Sequence, residues 1–355
     1  MTWTIGKTLR NKEYVLEKEL GNGRFITYLA RHKDGSLVVV KVLNDFLLRN
    51  LELVDQQKLR ETFNQESVKL AKCSNPHIVK VGYPFMEGDR ECIVMEYING
   101  KSLASRSDRV LPEEVALRYI HQIGEALVVV HENELTHRDV KPESILIESR
   151  NGSDRAVLIS FSLAVEQNQR IEVQTKEAAE GFAPPELYSR FGGNLGAHTD
   201  IYSLAATLYE LLTGIQPSSA IERQTGRIDT LSTPIGYNST INEQTSNAIM
   251  HGLELDPKNR PSSMRDWLVS LGLTLTLPHQ VSKKIKENST LSSSQNSTAS
   301  NTNNWWTSLN FDNKAKVIGI FIAAVAAIGG LLAGLGSVFK TTPPQYPTET
   351  PSQDP

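Results

Sequence analysis

The chain has 355 residues, with 37 Lys plus Arg against 40 Asp plus Glu and a formal net charge of −3. That near balance leaves no basic footprint for nucleic acid, so no nucleic-acid partner is expected. Its two cysteines, Cys73 and Cys92, lack the spacing of a metal site and the density of a disulfide scaffold, and fit a reducing compartment as small apolar fillers.

Residues 1–10 contain no apolar stretch of signal-peptide length, so the bulk of the chain is expected to stay in the cytoplasm. Residues 1–13 read as an N-terminal extension. From residue 14, apolar and β-branched residues predict strands over 14–20, 27–32 and 37–43, separated by a glycine-containing turn at 21–23 and by Lys33, Asp34 and Gly35. The run Gly21, Asn22, Gly23, Arg24, Phe25 lies between two strands, whereas a dinucleotide-binding fingerprint leads from a strand into a helix. The third strand ends in Val38, Val39, Val40, Lys41. A helical pattern over 59–73 carries Glu66 and precedes Asn75, Pro76, His77, Ile78, Val79. Another strand follows at 92–97, holding Met95 and Glu96, with Ile98 just beyond.

Residues 112–131 predict a long helix, with Pro112 at its start and Glu113 and Glu114 favoured by the positive end of its dipole. The run His137, Arg138, Asp139, Val140, Lys141, Pro142, Glu143, Ser144 follows. A strand at 156–159 leads into Ser160, Phe161, Ser162. Further on stand Gly181, Phe182, Ala183, Pro184, Pro185, Glu186, then an apolar helical run opening on Asp200, Ile201, Tyr202, Ser203, Leu204 and closing at Thr213 and Gly214. Leu255 to Pro261, with Arg260, completes the series, and there is no internal repeat.

In this order, over residues 14–273, these motifs resemble those of the eukaryotic-like serine/threonine protein kinases found in bacteria, many of which are membrane-tethered. The resemblance implies an α+β, two-lobed protein-kinase fold, with a small β-rich lobe at 14–98 and a larger helical lobe at 99–273. It implies ATP as ligand and a protein substrate or partner kinase. Gly21 and Gly23 would form the lid over the phosphates, and Lys41 would meet the phosphates and pair with Glu66. Met95 would lie at the back of the pocket, and the backbone from Glu96 to Ile98 would face adenine. Asp139 would be the catalytic carboxylate, and Lys141, two residues on, is similar to the serine/threonine class. Glu186 would pair with Arg260.

Several positions depart from the pattern. Either Ile26 replaces the third glycine of the lid, or the loop is one residue short and Thr27 takes the place of the usual Val. Val39 stands where Ala is usual and adds bulk beside adenine. The family holds two magnesium ions with an Asp and an Asn, at positions filled here by Ser160 and Ser144. A hydroxyl brings no negative charge to a hard dication, so no metal site is expected and Mg2+ binding is weakened twice. Metal stabilisation of the transition state is worth several kcal/mol, and about 1.4 kcal/mol is tenfold in rate. Ser162 replaces a hinge glycine, and Ala179 stands where a Thr would hydrogen-bond the catalytic Asp and Lys. Between them only Thr175 offers an activating phosphosite. These departures predict a pseudokinase, a scaffold or allosteric regulator in signal transduction. The alternatives are a weakly active Ser/Thr kinase and an ATP-binding sensor without transfer.

Residues 274–316 are rich in Ser, Asn and Thr and read as a flexible linker. Residues 317–339 carry no charge and, as a helix, reach about 34 Å, enough to span a bilayer core. Trp305, Trp306, Lys314 and Lys316 precede this span and Lys340 follows it, which predicts a single-pass membrane protein with the kinase-like domain cytoplasmic. The Pro- and Thr-rich tail, 340–355, would lie on the opposite side. Ala326, Gly330 and Gly334 fall on one helical face and include a Gly-x-x-x-Gly pair, which predicts a homodimer through the span.

Overall fold

Period-two burial organises the first half of the chain: in β2 (Tyr14–Asn22) the side chains of Tyr14 and Leu16 are buried while Val15 between them is exposed. The structure, a computed structural model, describes residues 3–23, 25–49, 51–150, 152–161, 181–188, 194–226, 229 and 231–274, leaving aside the side chains of 47 and 150. Six antiparallel strands form one sheet in the order β1-β2-β3-β4-β6-β5, with β1 at Thr8–Leu9, β3 at Phe25–His32, β4 at Leu37–Leu43, β5 at Phe85–Glu87 and β6 at Arg90–Glu96. Residues 8 and 9, read from the sequence as part of an extension, are an edge strand of this sheet. Two residues are too few to show a period, which is why the pattern missed them. Trp3 stacks on Tyr28 at 6.1 Å and donates its backbone N–H to the Tyr28 hydroxyl, while the Arg10 N–H donates to Glu87 at the other edge. The N-terminal residues thus pack on the sheet: β1 pairs with β2, Trp3 lies on Tyr28 of β3 and Arg10 reaches Glu87 of β5.

A short helix, α1 (Asp45–Arg49), leads to α2 (Leu53–Lys72). Leu59, Phe63, Ser67 and Leu70 recur at helical spacing and form the buried stripe of α2. The helix begins six residues before the predicted start because Leu53 and Val54 are exposed and break the apolar pattern.

The second half packs helices around α4 (Ala197–Thr213), which is buried on nearly every side and ends at Gly214 in the left-handed conformation, φ 69°. Against it lie α3 (Glu113–Glu132), α7 (Glu243–Gly252) and α8 (Met264–Ser270); α5 (Ala220–Thr225) and α6 (Pro234–Tyr237) complete the described helices. Gly124 lets α3 approach α8: a Cβ there would sit 2.6 Å from the Leu268 side chain. A small sheet of β7 (Lys101–Ser102), β8 (Ile145–Arg150) and β9 (Ser153–Leu158) lies between the two halves. Its β8–β9 register pairs Ile145 with Leu158, so Ser144 and Ser160 sit at neighbouring strand ends.

Among the described residues no helix is long and apolar enough to cross a membrane. The predicted span, 317–339, and the tail, 340–355, lie outside the described residues, as does the linker beyond Thr274.

Candidate active site in the cleft

Asp200, fully buried in α4, fixes the loop that carries Asp139. Its carboxylate accepts the backbone N–H of His137 and of Arg138, each at 2.8 Å, and meets His131 Nε2 at 2.8 Å. Burial pushes the Asp200 carboxyl up, but the His131 hydrogen bond and the charges of His131 and His137 together bring it below the usual range. The sequence reading saw in Asp200 only a helix start. Nothing in the local pattern tells that it reaches a loop some sixty residues away.

His137 is buried, which pushes its pKa down and keeps the ring neutral. Its Nε2 meets the Ile159 carbonyl at 2.8 Å, and its Nδ1 accepts the Asp139 N–H at 3.3 Å. The ring packs on Phe161 at 4.5 Å. Arg138 and Ser160 take left-handed backbone conformations, φ 68° and 60°, a strain of about 1–3 kcal/mol each that the surrounding contacts hold in place.

Asp139 and Lys141 lie together, with Lys141 Nζ 3.2 Å from the Asp139 carboxylate, whose side chain is 37% exposed. Ser144 has a different task. Its hydroxyl donates to the Lys141 carbonyl at 2.8 Å and accepts the Lys141 N–H at 2.9 Å, closing the turn Pro142–Ser144, and the residue is 1% exposed. Ser160 is exposed and carries no carboxylate. Among the described residues the two family positions therefore do not fit a magnesium pair: one is closed into a turn and the other is neutral, which leaves Asp139 as the carboxylate of this loop. Among the described residues no cluster of three metal-ligating side chains occurs.

Lys41 and Glu66 do not form the expected pair. The Lys41 ammonium donates to the Phe161 carbonyl at 2.9 Å and lies 4.3 Å from the centre of the Phe25 ring, whereas Glu66 meets the Arg138 guanidinium at 3.0 Å. The physical reason is competition: Arg138 offers Glu66 a fully charged planar partner, and Lys41 is buried where its charge is disfavoured. Burial lowers the Lys41 pKa from 10.5 to about 8, with Asp139 acting in the opposite direction.

Ile26 does not lie at the tip of the glycine turn. Asn22 already pairs with Ile26, and Ile26 pairs with Val42 on the next strand, so Ile26 is a buried ladder residue rather than a loop tip. Thr27 stands directly opposite Lys41, and by alternation Phe25 shares their face. Gly21 and Gly23 have no positive φ, and a Cβ at either would meet nothing within 4 Å, so the chain's own packing does not demand glycine there. Val39 is on the Lys41 face of β4, as its position two residues away requires. The Glu96 N–H is taken by the Lys80 carbonyl at 2.8 Å, so this amide is not open to adenine, and Met95 and Ile98 are buried.

Glu186 and Arg260 form the expected pair, at 2.7 and 3.1 Å. Ser162, Thr175 and Ala179 lie outside the described residues. Sequence reasoning missed Phe25, although an aromatic residue inside a glycine loop, two positions before Thr27, was the available signal.

The chain was compared with known proteins. Residues 14–269 match the protein kinase domain family. A probable serine/threonine-protein kinase of Clostridium perfringens is 29% identical over 272 residues, covering 74% of this chain and 38% of that protein. The serine/threonine-protein kinase PkaB of Streptomyces coelicolor is 31% identical over 214 residues, 58% of this chain and 49% of that protein. The chain thus spans half or less of the length of these relatives. In fold it is similar to the Mycobacterium tuberculosis PknI kinase domain, with a TM-score of 0.58 at 22% identity, covering 76% of this chain and 98% of that one. The apo form of PpkA-294 gives 0.59 at 21% identity, covering 76% and 99%. A family match over most of the chain places it in the protein kinase domain family, and the relatives reported above are serine/threonine-protein kinases of bacteria.

Proposed function

We propose that this protein is a membrane-anchored member of the serine/threonine protein kinase family whose phosphoryl transfer is strongly reduced, and that it acts in signal transduction as a scaffold or allosteric regulator of a partner kinase or protein substrate. Family membership implies ATP as ligand and usually Mg2+. The observation that carries the reading is Ser144. Its hydroxyl both donates to and accepts from the Lys141 backbone in a buried turn, so the position that ends the catalytic loop serves local structure. Ser160 adds no charge, and phosphoryl transfer in this family rests on charge neutralisation and positioning.

Asp139 and Lys141, the catalytic pair that the resemblance implies, lie 3.2 Å apart. That pair favours a second reading, a slow Ser/Thr kinase. Transfer of radiolabelled γ-phosphate from ATP by the full chain, with Asp139→Asn as control, separates the two. Incorporation at rates on the order of 1–100 per second, lost in the control, would reject the pseudokinase reading. The anchor is residues 317–339, with the kinase-like domain cytoplasmic, the tail 340–355 opposite, and Gly330 and Gly334 as the face for a second copy.

A further inference from the structure

The end of the cleft where phosphates would meet Lys41 contains a side chain of the chain itself. Thr27 faces Lys41 across the β3–β4 ladder, and Phe25, two residues earlier, turns to the same side. Its ring centre lies 4.3 Å from the Lys41 ammonium and 5.7 Å from the ring of Phe63 on α2. The ammonium therefore has a carbonyl partner in Phe161 and an aromatic face in Phe25.

Asn44, just past β4, holds the lid in this position. Its side-chain amide donates to the Gly23 carbonyl at 2.7 Å and to Asn22 Oδ1 at 3.1 Å, while its own oxygen accepts the N–H of Phe46 in α1 at 3.0 Å. The glycine turn is thus tied to the start of α1, and the Gly23 N–H donates to the Phe25 carbonyl at 3.1 Å.

We infer that Phe25 is a gate at the phosphate end of the nucleotide cleft, latched by Asn44, and that a nucleotide reaches Lys41 only by displacing its ring. The chain then selects adenine ligands by base and sugar, with little gain from phosphate. This rests on the reading of residues 21–25 as a nucleotide lid. A triphosphate must break the Lys41–Phe25 contact before it gains the ammonium, whereas adenosine has nothing to gain from Lys41. Opening the gate should therefore help ATP and leave adenosine unchanged.

The test is calorimetric titration of ATP and of adenosine, without magnesium, into the full chain and its Phe25→Ala, Lys41→Met and double variants. The native chain should bind the two ligands within a few-fold of each other. Phe25→Ala should tighten ATP about tenfold, the size of a partly desolvated cation–π contact, and leave adenosine unaltered. Lys41→Met should weaken ATP about tenfold in the Phe25→Ala background and only slightly in the native one, a coupling read from the cycle. Asn44→Ala, which leaves the Phe25–Phe63 packing residues in place, should tighten ATP in the same direction by less. Equal ATP affinity in the native, Phe25→Ala and Asn44→Ala proteins, or an equal gain for adenosine, would overturn the gate while leaving nucleotide binding intact. Absence of binding by either ligand in every variant would overturn the lid reading itself, and the gate with it.

Discussion

Arg260 places both terminal nitrogens of its guanidinium on the Glu186 carboxylate, with side-chain exposures of 0% and 1%. The same guanidinium also donates to the carbonyls of His198, Glu254 and Leu255 and lies 5.0 Å from the Tyr202 ring. Every donor is used, so the pair ties the segment after the catalytic cleft to the far side of the helical half. Removing one partner leaves a buried charge uncompensated. Arg260→Ala is expected to lower unfolding free energy by about 3–5 kcal/mol in urea titration, and Glu186→Gln by less. A loss under about 1 kcal/mol for Arg260→Ala would show that water reaches the pair.

Ser144 and Ser160 give a paired prediction. Ser144→Ala removes both hydrogen bonds that close the Pro142–Ser144 turn, and should cost about 1–2 kcal/mol of stability. Ser144→Asn together with Ser160→Asp restores the family's two metal-ligand types. If metal loss is the main defect, the double variant should transfer labelled phosphate at least about tenfold faster than the native chain in the presence of Mg2+. No gain would place the defect in the lid and in Ala179.

Lys41 should leave a signature in the pH dependence of stability. Its pKa is 10.5 unperturbed and about 8 in the fold, because burial disfavours the ammonium. Between those values the unfolded chain keeps the proton and the folded chain releases it. Unfolding then takes up a proton, so stability from this group rises as pH increases. Measured by denaturant unfolding from pH 7.5 to 9.5, the native chain should gain roughly 2 kcal/mol relative to Lys41→Met. Parallel curves for the two proteins would mean that Lys41 is solvated in the fold.

The proposed span, residues 317–339, yields the last prediction. Crosslinking of the full chain in membranes should trap a dimer, and Gly330→Ile with Gly334→Ile should weaken it, because two isoleucines hold the helix backbones apart. A dimer yield unaltered by the pair of substitutions would remove this face from any contact.

Most of the frame is legible in the residue pattern alone. Strands β2, β3 and β4, helix α3 and the core of α4 were legible because each buries one face, or all faces, against a neighbour, and burial writes a period into the residues. The Glu186–Arg260 pair was legible through resemblance. The edge strand at Thr8–Leu9 and the short helix α1 were not, since elements of two and five residues are too brief to carry a period.

Which partners the charged groups take depends on how distant elements meet in space. From the sequence, Glu66 belonged to Lys41; in space Arg138 reaches Glu66, and Lys41 turns to the Phe161 carbonyl and the Phe25 ring. The place of Ile26 in a strand, with Thr27 opposite Lys41, likewise came from a ladder register that no local pattern specifies. The role of Ser144 followed from two hydrogen bonds to Lys141, three residues away, which depend on a turn geometry shared by many sequences. Periodicity reports which side of an element is dry. Pairing among charges and rings depends on distances between elements far apart in the chain, and those exist only once the chain has folded.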